Sequence, residues 1–165
     1  MQKRVLSLLV DNTAGVTTRV SGLFSRRGYN IDSITGGVTA DERFSRITVV
    51  CSGDELILEQ ITNQLAKLVD VRDIKILELD NSVCHELMMI KVAAKPEQRQ
   101  GLISIADVFH AKVADVSVDS MILEMTGNHN KLEAFLELMG DYEILELART
   151  GMTGLSRGSQ DVTYF

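Results

Sequence analysis

Leu6-Ser7-Leu8-Leu9-Val10-Asp11-Asn12-Thr13-Ala14-Gly15-Val16 runs on through Gly22-Leu23-Phe24-Ser25-Arg26-Arg27-Gly28 to Tyr29-Asn30-Ile31-Asp32-Ser33, a strand, turn, helix and second strand in succession. Residues 5–10 are apolar except for Ser7, the signature of a strand covered on both faces or lying at a sheet centre. After a turn ending in Gly15, Val16, Val20, Leu23 and Phe24 recur at i, i+4, i+7 and i+8, one apolar stripe on a helix. Arg26 and Arg27 meet the negative end of that helix, and Gly28 supplies the left-handed residue that stops it. A second strand opens at Asn30. The turn presents backbone N–H groups at a helix start, where a carboxylate is favoured, with no His, Cys or Lys beside it.

Along the whole chain the order strand, helix, strand, strand, helix, strand occurs twice. In the first unit, strands over residues 30–39 and 46–51 flank the polar Asp41-Glu42-Arg43 turn. A helix from Asp54 carries Ile57, Ile61, Leu65 and Leu68, with Ser52 and Glu55 spaced as a capping box, and a fourth strand ends near Leu79. Asp80-Asn81-Ser82 reads as a tight linker. In the second unit a strand over 84–94 leads to Pro96, placed at the first turn of a helix reaching Phe109. A hairpin over 111–118 and 121–126 follows. Asn130 and Glu133 are spaced as a cap pair, Leu132, Phe135, Leu136 and Met139 form a stripe, and the last strand covers 142–148 before a glycine-rich polar tail. The expected fold class is α+β: two tandem βαββαβ ferredoxin-like units, residues 1–79 and 80–165, each a four-stranded antiparallel sheet with both helices on one face. Such a sheet has a bare face, and in units of about 80 residues a second sheet covers it economically. A homodimer is expected on this ground.

Composition narrows the function classes. The chain has 165 residues, 45% hydrophobic, with a formal charge of −6. Residues 1–80 carry ten basic and eleven acidic groups, and residues 81–165 seven and twelve, so neither half has the basic stripe that a phosphate backbone requires. No nucleic-acid partner is expected. Apolar runs such as Leu87-Met88-Met89-Ile90 are strand-length, far short of the roughly 20 residues that cross a bilayer. No membrane partner is expected either, and the N-terminus reads as that of a cytoplasmic protein. Cys51 and Cys84 lie in apolar segments as small buried hydrophobes.

Two readings of the Asn12–Gly15 turn compete. In one, Asn12 satisfies nearby backbone and Gly15 takes a conformation closed to other residues. In the other, the turn holds an amino acid: its carboxylate on the helix-start N–H groups, its ammonium against Asn oxygens or carbonyls, with Asn30 at the mouth of the next strand supplying donor and acceptor.

The sequence resembles the ACT-domain small, regulatory subunits of acetolactate synthase, also called acetohydroxyacid synthase, over nearly the whole chain. The two opening phrases carry the resemblance, with Ser45-Arg46-Ile47-Thr48, the segment from Gln60-Ile61 to Lys67-Leu68-Val69-Asp70-Val71, and the terminal Ala148-Arg149-Thr150-Gly151 and Gly154-Leu155-Ser156-Arg157-Gly158. It implies that residues 1–79 form an ACT domain for effector binding and dimerisation. It further implies a non-catalytic subunit that activates the catalytic (large) subunit and confers feedback inhibition by valine, or a related branched-chain amino acid, in branched-chain amino-acid biosynthesis. The implied effector pocket lies between two chains, with Asn12, Ala14, Gly15, Val16 and Thr18 on the turn and helix start of one, and Asn30 and Ile31 of the other. Thr35-Gly36-Gly37-Val38 departs from the bulkier residues common in the family, which bears on pocket volume. No cofactor is expected on this chain; thiamine diphosphate, FAD and magnesium are implied for the catalytic subunit.

Other motifs weigh less. Gly154-x-Ser156-x-Gly158 matches the nucleophile elbow, which needs downstream acidic and histidine partners, and no histidine follows it. It reads as an ordered or partner-binding tail. Cys84, His85, His110 and His129 raise a metal reading, since the second unit also resembles the ligand-binding domain of nickel-responsive regulators. Neighbouring strand residues point to opposite faces, however, so Cys84 and His85 do not share one ion. No metal site and no catalytic residue are expected, and the alternative function is a stand-alone amino-acid- or metal-sensing ACT-type module.

Overall fold

The computed structural model describes residues 1–159 and Val162. It contains two compact units, one of Met1–Cys84 joined by the segment from Gly151 onward, the other His85–Thr150. Both repeat the βαββαβ order.

In the first unit, β1 (Gln2–Asp11), α1 (Val16–Arg27), β2 (Ile31–Val38), β3 (Phe44–Gly53), α2 (Glu55–Leu65) and β4 (Val71–Ile76) build a sheet in the order β2-β3-β1-β4. All of its pairings are antiparallel. The run read as a doubly covered strand is one: Val5 through Val10 are all buried. Leu6, Leu8 and Val10 of β1 join Ile47, Val49 and Cys51 of β3, and Val16, Val20, Leu23, Phe24, Leu58, Ile61 and Leu65 of the helices, in one core. This is the period-two stripe of two strands meeting two helical stripes. Gly28, at φ 69°, closes α1 by donating to Phe24 and Ser25 carbonyls, as the sequence implied. Tyr29 then folds back edge-on to Phe24, with ring centroids 6.5 Å apart.

The opposite face of this sheet is covered in part by the chain's own tail. Val5, Val50, Leu77 and Cys84 form a second buried cluster against Met152. Thr35 donates its hydroxyl hydrogen to the Met152 carbonyl at 2.9 Å. Gly151, at φ 84°, passes so near Ser33 that a β-carbon there would stand 2.5 Å from the serine's own. Only glycine allows that approach. The tail, grouped with residues 80–165 in the sequence reading, therefore belongs with the first unit. Its Gly154-Leu155-Ser156 is no elbow, since it lies in a short strand, β9 (Thr153–Ser156), that pairs with β5. Gly154 packs against Cys84, and Arg157 N donates to Asn81 O.

The second unit comprises β5 (Ser82–Ala93, whose first residues belong to the first unit), α3 (Arg99–Phe109), β6 (Lys112–Val116), β7 (Ser120–Gly127), α4 (His129–Leu138) and β8 (Ile144–Arg149), in the sheet order β6-β7-β5-β8. Met88, Ile90 and Val92 of β5 and Met121, Leu123 and Met125 of β7 pack on Leu102, Ala106, Leu132 and Phe135. Buried Glu86 is held by Arg149, whose Nε and Nη2 lie 3.1 Å from its two oxygens. His129 Nδ1 stands 3.2 Å from the same carboxylate.

Three local expectations are corrected. Helix α2 is capped by Asp54, which accepts from Ile57 N at 2.8 Å; Ser52 belongs to β3 and donates to Asp32 instead. Helix α4 is capped by Asn128, accepting from Lys131 N at 2.9 Å, with Asn130 inside the helix. In both, the residue directly before the helix has the extended backbone a cap requires. Pro96 opens a separate 3-10 turn, Pro96–Gln98, ahead of α3.

Candidate functional site

The end of β1 and the turn after it are tied down from several sides. Asp11 N donates to Asp70 O at 2.9 Å, and Asn12 N to Arg43 O at 2.8 Å. The Asn12 side-chain amide donates to Glu42 O at 2.8 Å, so the structural role foreseen for this residue is realised. Arg72 grips Asp11 with two hydrogen bonds of 2.7 and 2.8 Å. Those bonds hold the Asp11 carboxyl below the usual carboxylate range, against the opposing effect of burial.

Gly15 is the N-cap of α1, at φ 84° and ψ −3°. This left-handed position explains the glycine. The guanidinium of Arg19 lies over it: a β-carbon at Gly15 would meet Arg19 Nη1 at 2.8 Å. Arg19 is anchored by Asp70, 2.5 Å from its Nε, and reaches the Ala14 carbonyl at 3.4 Å. Helix α1 has no side-chain cap, unlike α2 and α4, and no acidic residue in its first turn, unlike α2. Its first N–H groups have no acceptor within the helix.

That uncapped start opens on a cleft of about 400 Å³. Residues 10–13 line one side and residues 34–38 of β2 the other, with Ser45 and Ile47 of the intervening strand β3 between them and Val16 and Thr17 of α1 completing the lining. Val10, Val16, Ile34, Val38 and Ile47 make it apolar, while Thr13, Thr17 and Ser45 add hydroxyls to its lining; the Thr35 hydroxyl is turned to Met152 on the other face of the sheet. Asp11, already held by Arg72, is the one ionisable side chain among the described lining residues. Its polarity suits a small molecule with an anionic end and an apolar body.

Of the residues singled out in the sequence, Asn12 and Val16 line this cleft. Ala14, Gly15 and Thr18 lie beside it on the turn and first helical turn, exposed and outside its described wall. Asn30 and Ile31 stand where β2 begins, six and five residues before Gly36, or roughly 20 Å along an extended chain. Within one chain they do not meet the turn: the Asn30 amide donates to Asp32 at 2.7 Å, and Ile31 packs on the first core. The sequence tied Thr35-Gly36-Gly37-Val38 to pocket volume, but the later half of β2 was not among the site residues expected. Its signal is the period-two set Ile34, Gly36 and Val38, which shares the helix-covered face with Val10 and Ile47 and so must border the α1 start. The metal candidates are dispersed. Cys84 is buried and His85 exposed, His110 ends α3 at φ 55°, and His129 starts α4. Among the described residues, no group of three or more His, Cys, Asp or Glu is placed to hold a metal ion. Nor, among them, is any helix long and apolar enough to cross a membrane.

Residues 6–73 match a family model described as the AHAS small subunit-like ACT domain, and residues 85–158 one described as the small subunit of acetolactate synthase. A probable acetolactate synthase small subunit of Archaeoglobus fulgidus is 45% identical over 96% of this chain and 99% of its own. The acetolactate synthase small subunit of Bacillus subtilis is 44% identical over 96% of this chain and 92% of its own. The crystal structure of the acetolactate synthase small subunit from Thermotoga maritima superimposes with a TM-score of 0.88 at 36% identity, covering 96% of this chain and 99% of that one. With its ACT unit, its second βαββαβ unit and its tail all accounted for in these relatives, the chain belongs to the acetolactate synthase small-subunit family.

Proposed function

We propose that the chain activates the catalytic subunit of acetolactate synthase and makes it sensitive to feedback inhibition by valine or a related branched-chain amino acid, which binds at the cleft beside the α1 start. The observation that supports this most is the coincidence of an uncapped helix N-terminus with an apolar-walled cleft. The effector carboxylate takes the first-turn N–H groups next to Gly15, where the helix dipole favours a negative charge. Its branched side chain lies against Val16, Ile34 and Ile47. Asn30 and Ile31 complete the site from a second chain, so the working form is a homodimer. The exposed Met89, Ile144, Leu145 and Leu147 of the second sheet offer it further apolar surface. Thiamine diphosphate, FAD and magnesium belong to the catalytic subunit, with which the chain works in the cytoplasm.

Inhibition through such a site requires that valine bind one state of the complex more tightly than another. Titration calorimetry of the chain with valine tests the binding step. Saturable binding that is lost in Gly15→Asp, where a carboxylate would repel the effector's own, is the expected result. Saturable binding of unchanged affinity in Gly15→Asp would move the site elsewhere, and no binding to the unmutated chain would end the proposal.

A further inference from the structure

Gly36 and Gly37 stand side by side inside β2, and the backbone does not call for either. Neither has a positive φ; the four glycines that do are Gly15, Gly28, Gly151 and Gly158. A β-carbon on Gly36 would make ordinary contact with Ile47 Cγ1 at 3.5 Å and Arg46 O at 3.8 Å, and one on Gly37 would meet nothing within 4 Å. Glycine within a strand is nevertheless unfavourable: it loses more chain entropy on folding than any other residue and packs nothing. The fold has room for a side chain here and would be steadied by one.

The cleft supplies the missing reason. Gly36 pairs with Ile47 in the β2–β3 register, and alternation places its absent side chain on the same face as those of Ile34 and Val38. All four residues line the cleft. We infer that Gly36 sets the size limit of the cleft: the space its side chain would fill takes the far end of a ligand's apolar side chain, so the site admits the longer branched amino acids, leucine and isoleucine, as well as valine. The inference rests on the reading that the cleft binds an amino acid.

Calorimetry of the unmutated chain, Gly36→Ala and Gly36→Val with valine, leucine and isoleucine tests it, with thermal melting of each variant alongside. One methylene in an apolar pocket is worth about 10-fold or more in discrimination. Gly36→Ala is therefore expected to weaken leucine and isoleucine about 10-fold while valine changes less than about 3-fold. Gly36→Val is expected to weaken all three by about 100-fold or more. Both variants are expected to melt no lower than the unmutated chain. Equal affinities in all three proteins would overturn the inference and leave the binding reading standing. A lowered melting temperature in Gly36→Ala would overturn it too, by showing that the fold needs the glycine. Failure of the unmutated chain to bind any of the three amino acids would remove both.

Discussion

Replacing Gly15 by alanine tests the construction of the α1 start. Gly15 sits at φ 84°, a conformation that costs an L-residue roughly 1–2 kcal/mol. Alanine recovers part of this, about 0.5 kcal/mol, by restricting the unfolded chain. Its β-carbon also lands 2.8 Å from Arg19 Nη1, so the guanidinium must move. That movement disturbs the Arg19–Asp70 ion pair, whose side chains are 47% and 13% exposed. A pair so open to solvent adds little to this. The expected loss is about 1 kcal/mol. Urea denaturation followed by circular dichroism measures it, and Arg19→Ala supplies the second corner of a double-mutant cycle. In that background Gly15→Ala should cost less, because no guanidinium remains to be displaced. A loss under about 0.5 kcal/mol in the unmutated background, or an equal loss in both, would refute the argument.

Three further outcomes are expected. Arg149→Ala should lower stability by about 3 kcal/mol in urea denaturation, since it strands the buried carboxylate of Glu86, and adding Glu86→Gln should restore a large part of that loss. Asp41, held down to about 2 by the hydrogen bonds of Arg43, contributes stability that is fully present above pH 4 and fades as the pH falls toward 2. Acid unfolding of Asp41→Asn should lack that part of the curve, and an unchanged curve would show that the Asp41–Arg43 contact adds nothing in solution. Cys51 is fully buried and its thiol is pushed up to about 11, chiefly by burial, while Cys84 is raised by burial alone. A colorimetric thiol reagent at pH 8 should label both cysteines at once in 6 M guanidinium, a chosen denaturing condition, and neither within the mixing time in the folded protein.

The fold was legible because its signals are short-range. The doubly apolar run at β1, the Val16–Val20–Leu23–Phe24 stripe and the Gly28 stop each depend on residues within a turn or two, and all three appear as read. The caps of α2 and α4 were misplaced by two residues because capping-box spacing fits several polar residues near a helix start. Backbone conformation at Asp54 and Asn128 chooses among them. The tail escaped for a different reason. Its placement depends on Met152 filling an apolar gap left by Val5 and Val50, and on Gly151 clearing Ser33, contacts more than a hundred residues apart in sequence. At the site, the turn and helix start were found from local chemistry, whereas the opposing wall is made by strand pairing. The Gly36–Gly37 pair was noticed in the sequence, but its meaning needed the register that sets Gly36 opposite Ile47.

Whether this chain senses a branched-chain amino acid on behalf of a catalytic partner is decided by acetolactate formation by the purified catalytic subunit, measured alone, with this chain, and with this chain plus valine. The rate is expected to rise when the chain is added and to fall again with valine, the fall being absent with Gly15→Asp. A rate that does not respond to the chain, or a valine response that is the same without it, would overturn the proposed function.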